Sequence, residues 1–238
     1  MKEILVTGGN GQLGTELKRY PWPGGWTVTA IDIDELDLRD TAAISTMVAS
    51  RPWAAVISAG AYTAVDKAES DIVTAWAVNA MAPAAFAEAC AKAAIPIVQV
   101  STDYVFDGSR EGAWDVTDPV APLGVYGASK LGGELAVRTS GARYAIVRTA
   151  WVVSAHGNNF IKTMLRVGAT NPTLRVVDDQ QGSPTSAADL ATALATITMR
   201  LVEDPAAPTG TYHFSNAGPS DSAGVAKMIG SGRCCRIL

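Results

Sequence analysis

Two residues with reactive side chains, Tyr126 and Lys130, stand four positions apart in the segment VYGASK. We predict that this segment is helical, and residues four apart on a helix project from the same face. A free tyrosine has a pKa of ~10, but a neighbouring ammonium stabilises the phenolate and lowers that pKa. The pair is therefore a candidate acid–base centre. The same spacing also arises by chance on surface helices, so its meaning depends on the elements around it.

Two hydroxyl side chains end the predicted strand that precedes this helix, in the segment VQVSTDYVFDG. Ser101 or Thr102 could donate a hydrogen bond to a carbonyl oxygen that gains negative charge during a reaction. Because side chains alternate along a strand, only one of the two can face the crevice. The alternative is that both hydroxyls merely cap the strand end.

A glycine-rich turn near the N-terminus is the second candidate site. In ILVTGGNGQLGTEL, an apolar segment is followed by Gly8, Gly11 and Gly14 at intervals of three, and then by a predicted helix. Such a turn directs free backbone N–H groups and the positive helix end at one point, which suits a phosphate. The first glycine allows the tight turn, the second the approach of a diphosphate, and the third close packing of helix on strand.

An acidic residue follows this turn at the distance expected for a dinucleotide site. Asp32 ends the second predicted strand, 18 residues after Gly14, where it could accept hydrogen bonds from a ribose. Its segment, DIDELD, could equally be a solvated acidic turn. A carboxylate here favours NADH, whereas the nearby Arg39 favours NADPH, so the choice of cofactor stays open.

Five short apolar segments alternate with helical stretches, which indicates successive βα units and an α/β, Rossmann-like, doubly wound parallel sheet. The predicted strands are Glu3–Thr7, Trp26–Ile31, Ala54–Ser58, Ile95–Ser101 and Tyr144–Arg148, and the predicted helices are Gln12–Tyr20, Thr41–Ser50, Ile72–Ala93 and Tyr126–Thr139.

After Arg148 the strict alternation stops. Two further helices are predicted near Phe160–Val167 and Ser186–Val202, and part of this region should form a small lobe over the carboxyl edge of the sheet. We predict an NAD(P)-binding domain over residues 1–152, onto which 175–206 packs back, and a substrate-binding lobe made of 153–174 and 207–238.

The composition excludes several classes of protein. The 238 residues are 48% hydrophobic and 18% charged, with a net charge of −4 and no Lys/Arg run, which argues against nucleic-acid and membrane-surface binding. The longest charge-free apolar stretch, Ile72 to Ala87, is shorter than the ~20 residues of a membrane span. With no signal-peptide pattern at the N-terminus, we expect a cytoplasmic protein without a membrane segment.

Cysteine and histidine give no sign of a metal or disulfide framework. Cys90, Cys234 and Cys235 lack disulfide or zinc spacing and should be reduced thiols. His156 and His213 stand alone, and we interpret both as structural.

Seven segments together resemble one family. They are TGGNGQLG, SAGAYTAVDKAE, VNA, VSTDYVFDG, YGASKLGGE, VRTAWV and DDQQGSPTSAADLA. In combination they are similar to the extended short-chain dehydrogenase/reductases, and in particular to the dTDP-4-dehydrorhamnose reductase family, over residues 1 to about 218.

The resemblance implies a Rossmann domain with a small C-terminal lobe, and reduction of the C4 ketone of dTDP-4-dehydro-L-rhamnose with NADPH or NADH. In it Tyr126 protonates the sugar oxygen, Thr102 holds that oxygen, and Lys130 keeps the phenol acidic and grips the nicotinamide ribose. The implied cofactor site consists of Gly8, Gly11, Gln12, Leu13, Gly14, Asp32, Asp37, Leu38, Ala59, Gly60, Ala61, Tyr62, Tyr126 and Lys130, and the implied sugar site of Thr102, Asp103, Tyr104, Tyr126 and Trp151.

Some of these assignments have plain structural alternatives. Trp151 could be a core anchor. Asn79 matches a family helix position near the active site, and it could equally be a buried amide that satisfies backbone groups. Glu16 matches a position linked to magnesium in some family members, but we interpret it as an exposed helix residue and predict no metal. Gly60 stands where alanine is common in the family, and we expect little consequence.

The chain also departs from the family towards its C-terminus. Family members are usually longer, and the ending GSGRCCRIL does not resemble their continuation, so the substrate lobe is expected to be incomplete, truncated or frame-altered. A homodimer is compatible with the resemblance. Two alternative functions stay open: reduction of another nucleotide-linked ketosugar, and a non-catalytic NADP-binding regulatory role like that of the methionine adenosyltransferase β subunit.

Overall fold

The computed structural model describes residues 1–171, 173–176, 179–218, 220–230 and 236–237. The strands are β1 Lys2–Thr7, β2 Trp26–Ile31, β3 Ala55–Ser58, β4 Ile97–Thr102, β5 Tyr144–Thr149, β6 Val152–Val153, β7 Thr173–Leu174, β8 Gln181–Gly182, β9 Thr185–Ser186, β10 Gly210–His213, β11 Ser220–Asp221 and β12 Arg236–Ile237. The helices are α1 Gln12–Arg19, α2 Thr41–Ala49, α3 Val65–Ala68, α4 Ile72–Trp76, α5 Ala82–Ala93, α6 Val125–Thr139, α7 Phe160–Gly168, α8 Ala187–Glu203 and α9 Ser222–Gly230, with a π turn at Ala77–Met81 and a 3-10 turn at Asp103–Val105.

Six parallel strands form the central sheet in the order β10-β5-β4-β3-β1-β2. This confirms the predicted Rossmann-like parallel sheet. The five predicted strands lie within two residues of their observed bounds, because β-branched runs flanked by turn residues define them clearly.

The sheet is buried on both faces, as the near-continuous apolar strands predict. Alternation along β1 places Leu5 in one core cluster and Ile4 and Val6 in the other. The Leu5 cluster is covered by α2 and α5, which contribute Ile44, Val48, Phe86 and Cys90. The opposite cluster is covered by α1 and α8, which contribute Leu17, Leu190 and Leu194.

The predicted single helix over Ile72–Ala93 is divided in three, because the chain widens into a π turn between α4 and α5. Within the described residues, this run of 22 is long and apolar enough to cross a membrane, with half of its apolar window buried inside the protein. This longer run includes the charged residues Glu88 and Lys92, and its charge-free part, Ile72 to Ala87, is the stretch that the sequence analysis describes. Its burial is typical of a core helix.

The smaller elements lie beyond β5. Parallel pairing joins β6 to β9 and β7 to β12, and antiparallel pairing joins β8 to β11. Strand β10, which the sequence analysis assigns to the small lobe, instead forms the edge of the central sheet beside β5. The short connector after α8 returns the chain directly to that open edge. The limits of the two domains otherwise stay a prediction.

Candidate active site

A cavity of about 1180 Å³ runs along the carboxyl edge of the sheet. It exceeds the volume of about 300–1,000 Å³ that is usual for a single small-molecule site. Its walls contain every residue that the sequence analysis assigns to the cofactor, the reaction or the sugar, which are Gly8, Gly11, Gln12, Leu13, Gly14, Asp32, Asp37, Leu38, Ala59, Gly60, Ala61, Tyr62, Thr102, Asp103, Tyr104, Tyr126, Lys130 and Trp151. The roles of these residues stay predictions.

The glycine turn leaves no room for side chains where strand, helix and loop meet. Gly8 has φ +73°, a conformation that favours glycine. A Cβ at Gly14 would lie 2.2 Å from the Gly8 carbonyl oxygen, so this glycine permits close packing of α1 on the turn. Thr7 joins the turn to the next loop, because its hydroxyl oxygen accepts hydrogen bonds from the backbone N–H of Ala59 at 3.1 Å and of Gly60 at 2.9 Å.

Gly60 faces a side chain rather than backbone. A Cβ at this position would lie 2.8 Å from Cδ1 of Leu38. The terminal methyl of a leucine can move aside, so the space is compatible with the alanine that is common in the family.

Asp32 is fixed against the glycine turn. Its carboxylate accepts a hydrogen bond from the backbone N–H of Asn10 at 2.8 Å and another from that of Ile33 at 2.8 Å. Further along the same wall, the Arg39 guanidinium binds both carboxylate oxygens of Asp37, at 2.6 to 3.0 Å. These hydrogen bonds lower the pKa of Asp37 to about 2. Both a carboxylate, that of Asp32, and a cation, that of Arg39, therefore line this end of the cavity.

Strand β4 separates the two candidate hydroxyls. Ser101 donates a hydrogen bond of 2.6 Å to the buried carboxylate of Glu134. Thr102 instead lines the cavity together with Tyr126, and its hydroxyl donates to the Asp103 carboxylate at 3.0 Å and accepts from the Tyr104 backbone N–H at 3.2 Å. Of the two alternatives left open by the sequence, Thr102 is thus the hydroxyl placed beside the candidate acid.

The pKa of the Tyr126 phenol is raised, whereas the sequence analysis expects it to be lowered. Burial raises its pKa to about 12; the nearby Thr102 hydroxyl acts in the opposite direction, and the charge of Asp103 adds to the rise. The expected lowering by Lys130 is absent, because the ammonium donates a 2.7 Å hydrogen bond to the Val100 carbonyl. Burial lowers the pKa of Lys130 to about 8, while the negative charge of Glu134 opposes that change.

Two side chains anchor the first part of helix α6: Glu69, which sequence reasoning did not assign, and Asn79. Glu69 accepts a 2.7 Å hydrogen bond from the backbone N–H of Val125. The buried amide of Asn79 bonds the backbone of Tyr62 on both sides, at 2.9 and 3.0 Å, and donates to the hydroxyl of Ser129 at 3.1 Å. Asn79 therefore satisfies backbone groups, as one interpretation held, and its π turn connects the cofactor wall to the helix that carries Tyr126.

Trp151 lies in the cavity wall and also packs against a neighbouring loop, and its role towards the sugar stays a prediction. It lines the cavity and has φ +46°, and its indole fills the space beside Gly182, where a Cβ would lie 2.7 Å from the ring. Its carbonyl accepts a 3.0 Å hydrogen bond from the backbone N–H of Thr185. On the opposite side, the Tyr104 ring stands edge-on to that of Tyr126, with 5.4 Å between centroids.

The interpretation of Glu16 as an exposed residue was wrong. Its partly buried carboxylate accepts a 3.2 Å hydrogen bond from Ser154 and lies 3.4 Å from the His156 ring. Gln12 also reaches this loop, because it donates to the Val152 carbonyl at 3.3 Å and accepts from Asn159 at 2.9 Å.

The described part of the chain contains no group of three or more His, Cys, Asp or Glu side chains placed to hold a metal ion. His213 contacts the Trp114 carbonyl at 3.1 Å, and burial lowers its pKa. Cys90 is a free, buried thiol, and burial raises its pKa to about 12. Cys234 and Cys235 lie outside the described residues.

Comparison with known proteins connects this geometry to one family. Residues 1–232 match the family model described as the RmlD substrate binding domain. The chain is 40% identical over 227 residues to dTDP-4-dehydrorhamnose reductase of Sinorhizobium fredii, covering 95% of this chain and 76% of that protein. It is 43% identical over 215 residues to the Streptomyces griseus protein of the same name, covering 90% and 70%.

The fold agrees with the sequence match. The crystal structure of dTDP-4-dehydrorhamnose reductase from Bacillus anthracis in complex with NADP superposes with a TM-score of 0.93 at 35% identity, covering 100% of this chain and 84% of that one. The fold of this chain is thus shared with a named reductase. The chain belongs to the dTDP-4-dehydrorhamnose reductase family.

Proposed function

We propose that this protein reduces the C4 ketone of dTDP-4-dehydro-L-rhamnose to give dTDP-L-rhamnose, with NADPH or NADH as the reductant. One observation carries the proposal: Thr102, Tyr126 and Lys130 lie on the same cavity as the glycine turn. The relatives named above, and the NADP complex of the Bacillus anthracis protein, support the choice of substrate and cofactor.

The walls of the cavity fit a dinucleotide. The space that a Cβ at Gly8 or Gly14 would fill is closed by backbone, so the turn can present N–H groups closely to a diphosphate. Asp32 supplies a carboxylate for the adenosine ribose, and Arg39 a cation for a 2′-phosphate. When bound, the cofactor supplies the hydride for the sugar C4.

The residues of α6 and β4 donate the proton and stabilise the charge that develops. With a pKa of about 12, Tyr126 is a neutral phenol at pH 7, which is the form that can give a proton to the developing alkoxide. Thr102 donates a hydrogen bond to the same oxygen as its negative charge grows. Lys130 is positively charged below pH 8, and we propose that its ammonium turns from the Val100 carbonyl to stabilise the phenolate that remains.

The sugar is expected to lie between Asp103, Tyr104 and Trp151, which line the cavity next to Tyr126. The aromatic surfaces of Tyr104 and Trp151 suit the apolar faces of a deoxysugar. We also propose that residues 153–174 and the segment after β10 form the substrate-binding lobe, that the protein acts in the cytoplasm, and that it forms a homodimer.

The direct test supplies the purified protein with NADPH and dTDP-4-dehydro-L-rhamnose and follows the loss of reduced nicotinamide absorbance. We expect stoichiometric oxidation, with dTDP-L-rhamnose identified by NMR. The same ketosugar linked to UDP serves as the control for the nucleotide. Faster turnover of another nucleotide ketosugar would reassign the substrate, whereas cofactor binding with no turnover of any ketosugar would favour the regulatory alternative.

A further inference from the structure

Four residues at intervals of four form one row on α6: Tyr126, Lys130, Glu134 and Arg138. Residues four apart on a helix lie on the same face, so the row presents a phenol, an ammonium, a carboxylate and a guanidinium in sequence. The mechanism above uses the first two. Glu134, which has no exposed surface, has no role in it.

Two consecutive residues of β4 bind two members of this row. The Val100 carbonyl accepts from Lys130 at 2.7 Å, and the Ser101 hydroxyl donates to Glu134 at 2.6 Å. Thr102, the next residue, lines the cavity together with Tyr126. The position of α6 along β4 is therefore fixed at two points, and the Glu134 contact is the one that involves a full negative charge.

Arg148 fixes Glu134 from the neighbouring strand. Its guanidinium donates to both carboxylate oxygens, at 2.8 and 2.7 Å, and its side chain is almost fully buried. In the sheet, Arg148 is the register partner of Ser101 on β5. Arg138 donates to the same carboxylate at 2.9 Å and to the Thr211 hydroxyl on β10 at 3.1 Å. A buried carboxylate with this many charged partners has one geometry available to it.

We propose that Glu134 is a positioning residue of the reductase, which keeps Lys130 positively charged and holds α6 at the correct height against Thr102. The proposal rests on the proposed function for its catalytic consequence. Its electrostatic part concerns Lys130 alone and can be tested without the sugar.

The charged groups around Lys130 determine the direction in which its pKa should change when Glu134 is replaced. On α6, Tyr126 lies one turn before Lys130 and Glu134 one turn after it, while β4 contributes only the neutral carbonyl of Val100. Arg138 and Arg148 face the carboxylate of Glu134 from α6 and β5, and Asp103 acts on Tyr126 from the turn after β4. Removing the negative charge would leave three cations close together in a buried site, which disfavours protonation of Lys130.

The test is the pH dependence of kcat/KM for the ketosugar and of the Kd for NADPH, measured in parallel. In Glu134→Gln, which keeps the shape and removes the charge, we expect the falling alkaline limb of both profiles to move to lower pH by about one pH unit. Glu134→Asp, which restores the charge, should return the limb towards the wild-type position. Arg138→Gln removes the opposite charge from the same row and should move the limb to higher pH.

Thermal unfolding and circular dichroism establish that each variant is folded. A folded Glu134→Gln protein whose activity falls equally at every pH, with both limbs unmoved, would overturn the proposal. If Glu134→Gln does not fold, an unmoved limb in Arg138→Gln overturns it instead, and a limb at higher pH supports it. Should no ketosugar be reduced while the NADPH limb still moves as expected, the proposed function fails and the role of Glu134 towards Lys130 stands.

Discussion

The two ends of the cavity are built in opposite ways. At the reaction end, Thr102 and Lys130 are buried, and Glu134 and Arg148 have 0% and 3% of their surface exposed. At the nucleotide end, the glycine turn offers backbone groups, and Asp37 and Arg39 form an ion pair whose side chains are 37% and 56% exposed. Substitutions at the reaction end should therefore change proton donation and buried charge. Substitutions at the nucleotide end should cause steric overlap or remove weak surface contacts.

The largest effect is expected at the phenol. Tyr126→Phe removes the proton donor and should lower kcat about 10²- to 10⁴-fold, which is the usual contribution of a positioned acid. The Kd for NADPH should change little, because the ring remains. Tyr144→Phe is the matched control. Tyr144 is the first residue of β5 and lies far from the carboxyl edge of the sheet, so this variant should keep full activity. Equal kcat values for Tyr126→Phe and the wild type would remove Tyr126 from the mechanism.

Loss of the Thr102 hydroxyl should be the next largest effect. Thr102→Val keeps the shape of the side chain and removes its donor, so kcat should fall by about 10²- to 10³-fold. Thr102→Ser keeps the hydroxyl and should retain most of the activity. A Thr102→Val protein with the kcat of the wild type in steady-state kinetics would remove the hydroxyl from the mechanism.

At the nucleotide end, a side chain added to the glycine turn should lower stability and weaken cofactor binding. Gly14→Ala places a Cβ 2.2 Å from the Gly8 carbonyl oxygen, whereas Gly11→Ala meets the same atom at 3.2 Å. Overpacking of this kind costs about 1–3 kcal/mol, so Gly14→Ala should lower the midpoint of thermal unfolding and weaken NADPH binding. Gly11→Ala should be milder in both measurements. The reverse order would show that the close packing of α1 on the turn is unimportant.

Activity should also depend on pH through Lys130. Burial lowers the pKa of this ammonium to about 8, so the charge that stabilises the phenolate is present below that pH and is lost above it. We therefore expect kcat for ketone reduction to fall as the pH rises from 7 through 9. A flat profile over this range would mean that the charge of Lys130 is not needed.

The smallest effect is expected at Arg39. Arg39→Ala removes an exposed cation, so the KM for NADPH should rise a few-fold while that for NADH changes less. Arg51→Ala, which removes another exposed, ion-paired arginine, is the control and should leave both KM values unchanged. An NMR titration should show the pKa of Asp37 returning from about 2 towards its ordinary value. Equal changes in the two KM values would exclude Arg39 from cofactor discrimination.

The two ends of the cavity also differ in how far the sequence predicts them. The strands and the glycine turn depend on short-range patterns, and their bounds were predicted within two residues. The choice between Ser101 and Thr102 required the position of Glu134, which is more than thirty residues away. The raised pKa of Tyr126 is a consequence of burial, which the spacing of two residues does not reveal.

The buried ion pair of Glu134 and Arg148 was not predicted, for a similar reason. Glu134 and Arg148 are 14 residues apart in the sequence and belong to different elements, so their pairing follows only from the packing of α6 on β5. One available signal was the i,i+4 spacing of Lys130 and Glu134, which places two opposite charges on one helix face.

The position of β10 has a consequence for synthesis on the ribosome. Five strands of the sheet are complete once Thr149 has emerged, but the outer edge of β5 keeps unpaired main-chain groups until Gly210–His213 follow. Open edges recruit foreign strands. The nascent chain therefore passes through a stage of about sixty residues in which self-association competes with completion of the fold, and chaperone binding during that stage would favour the native product.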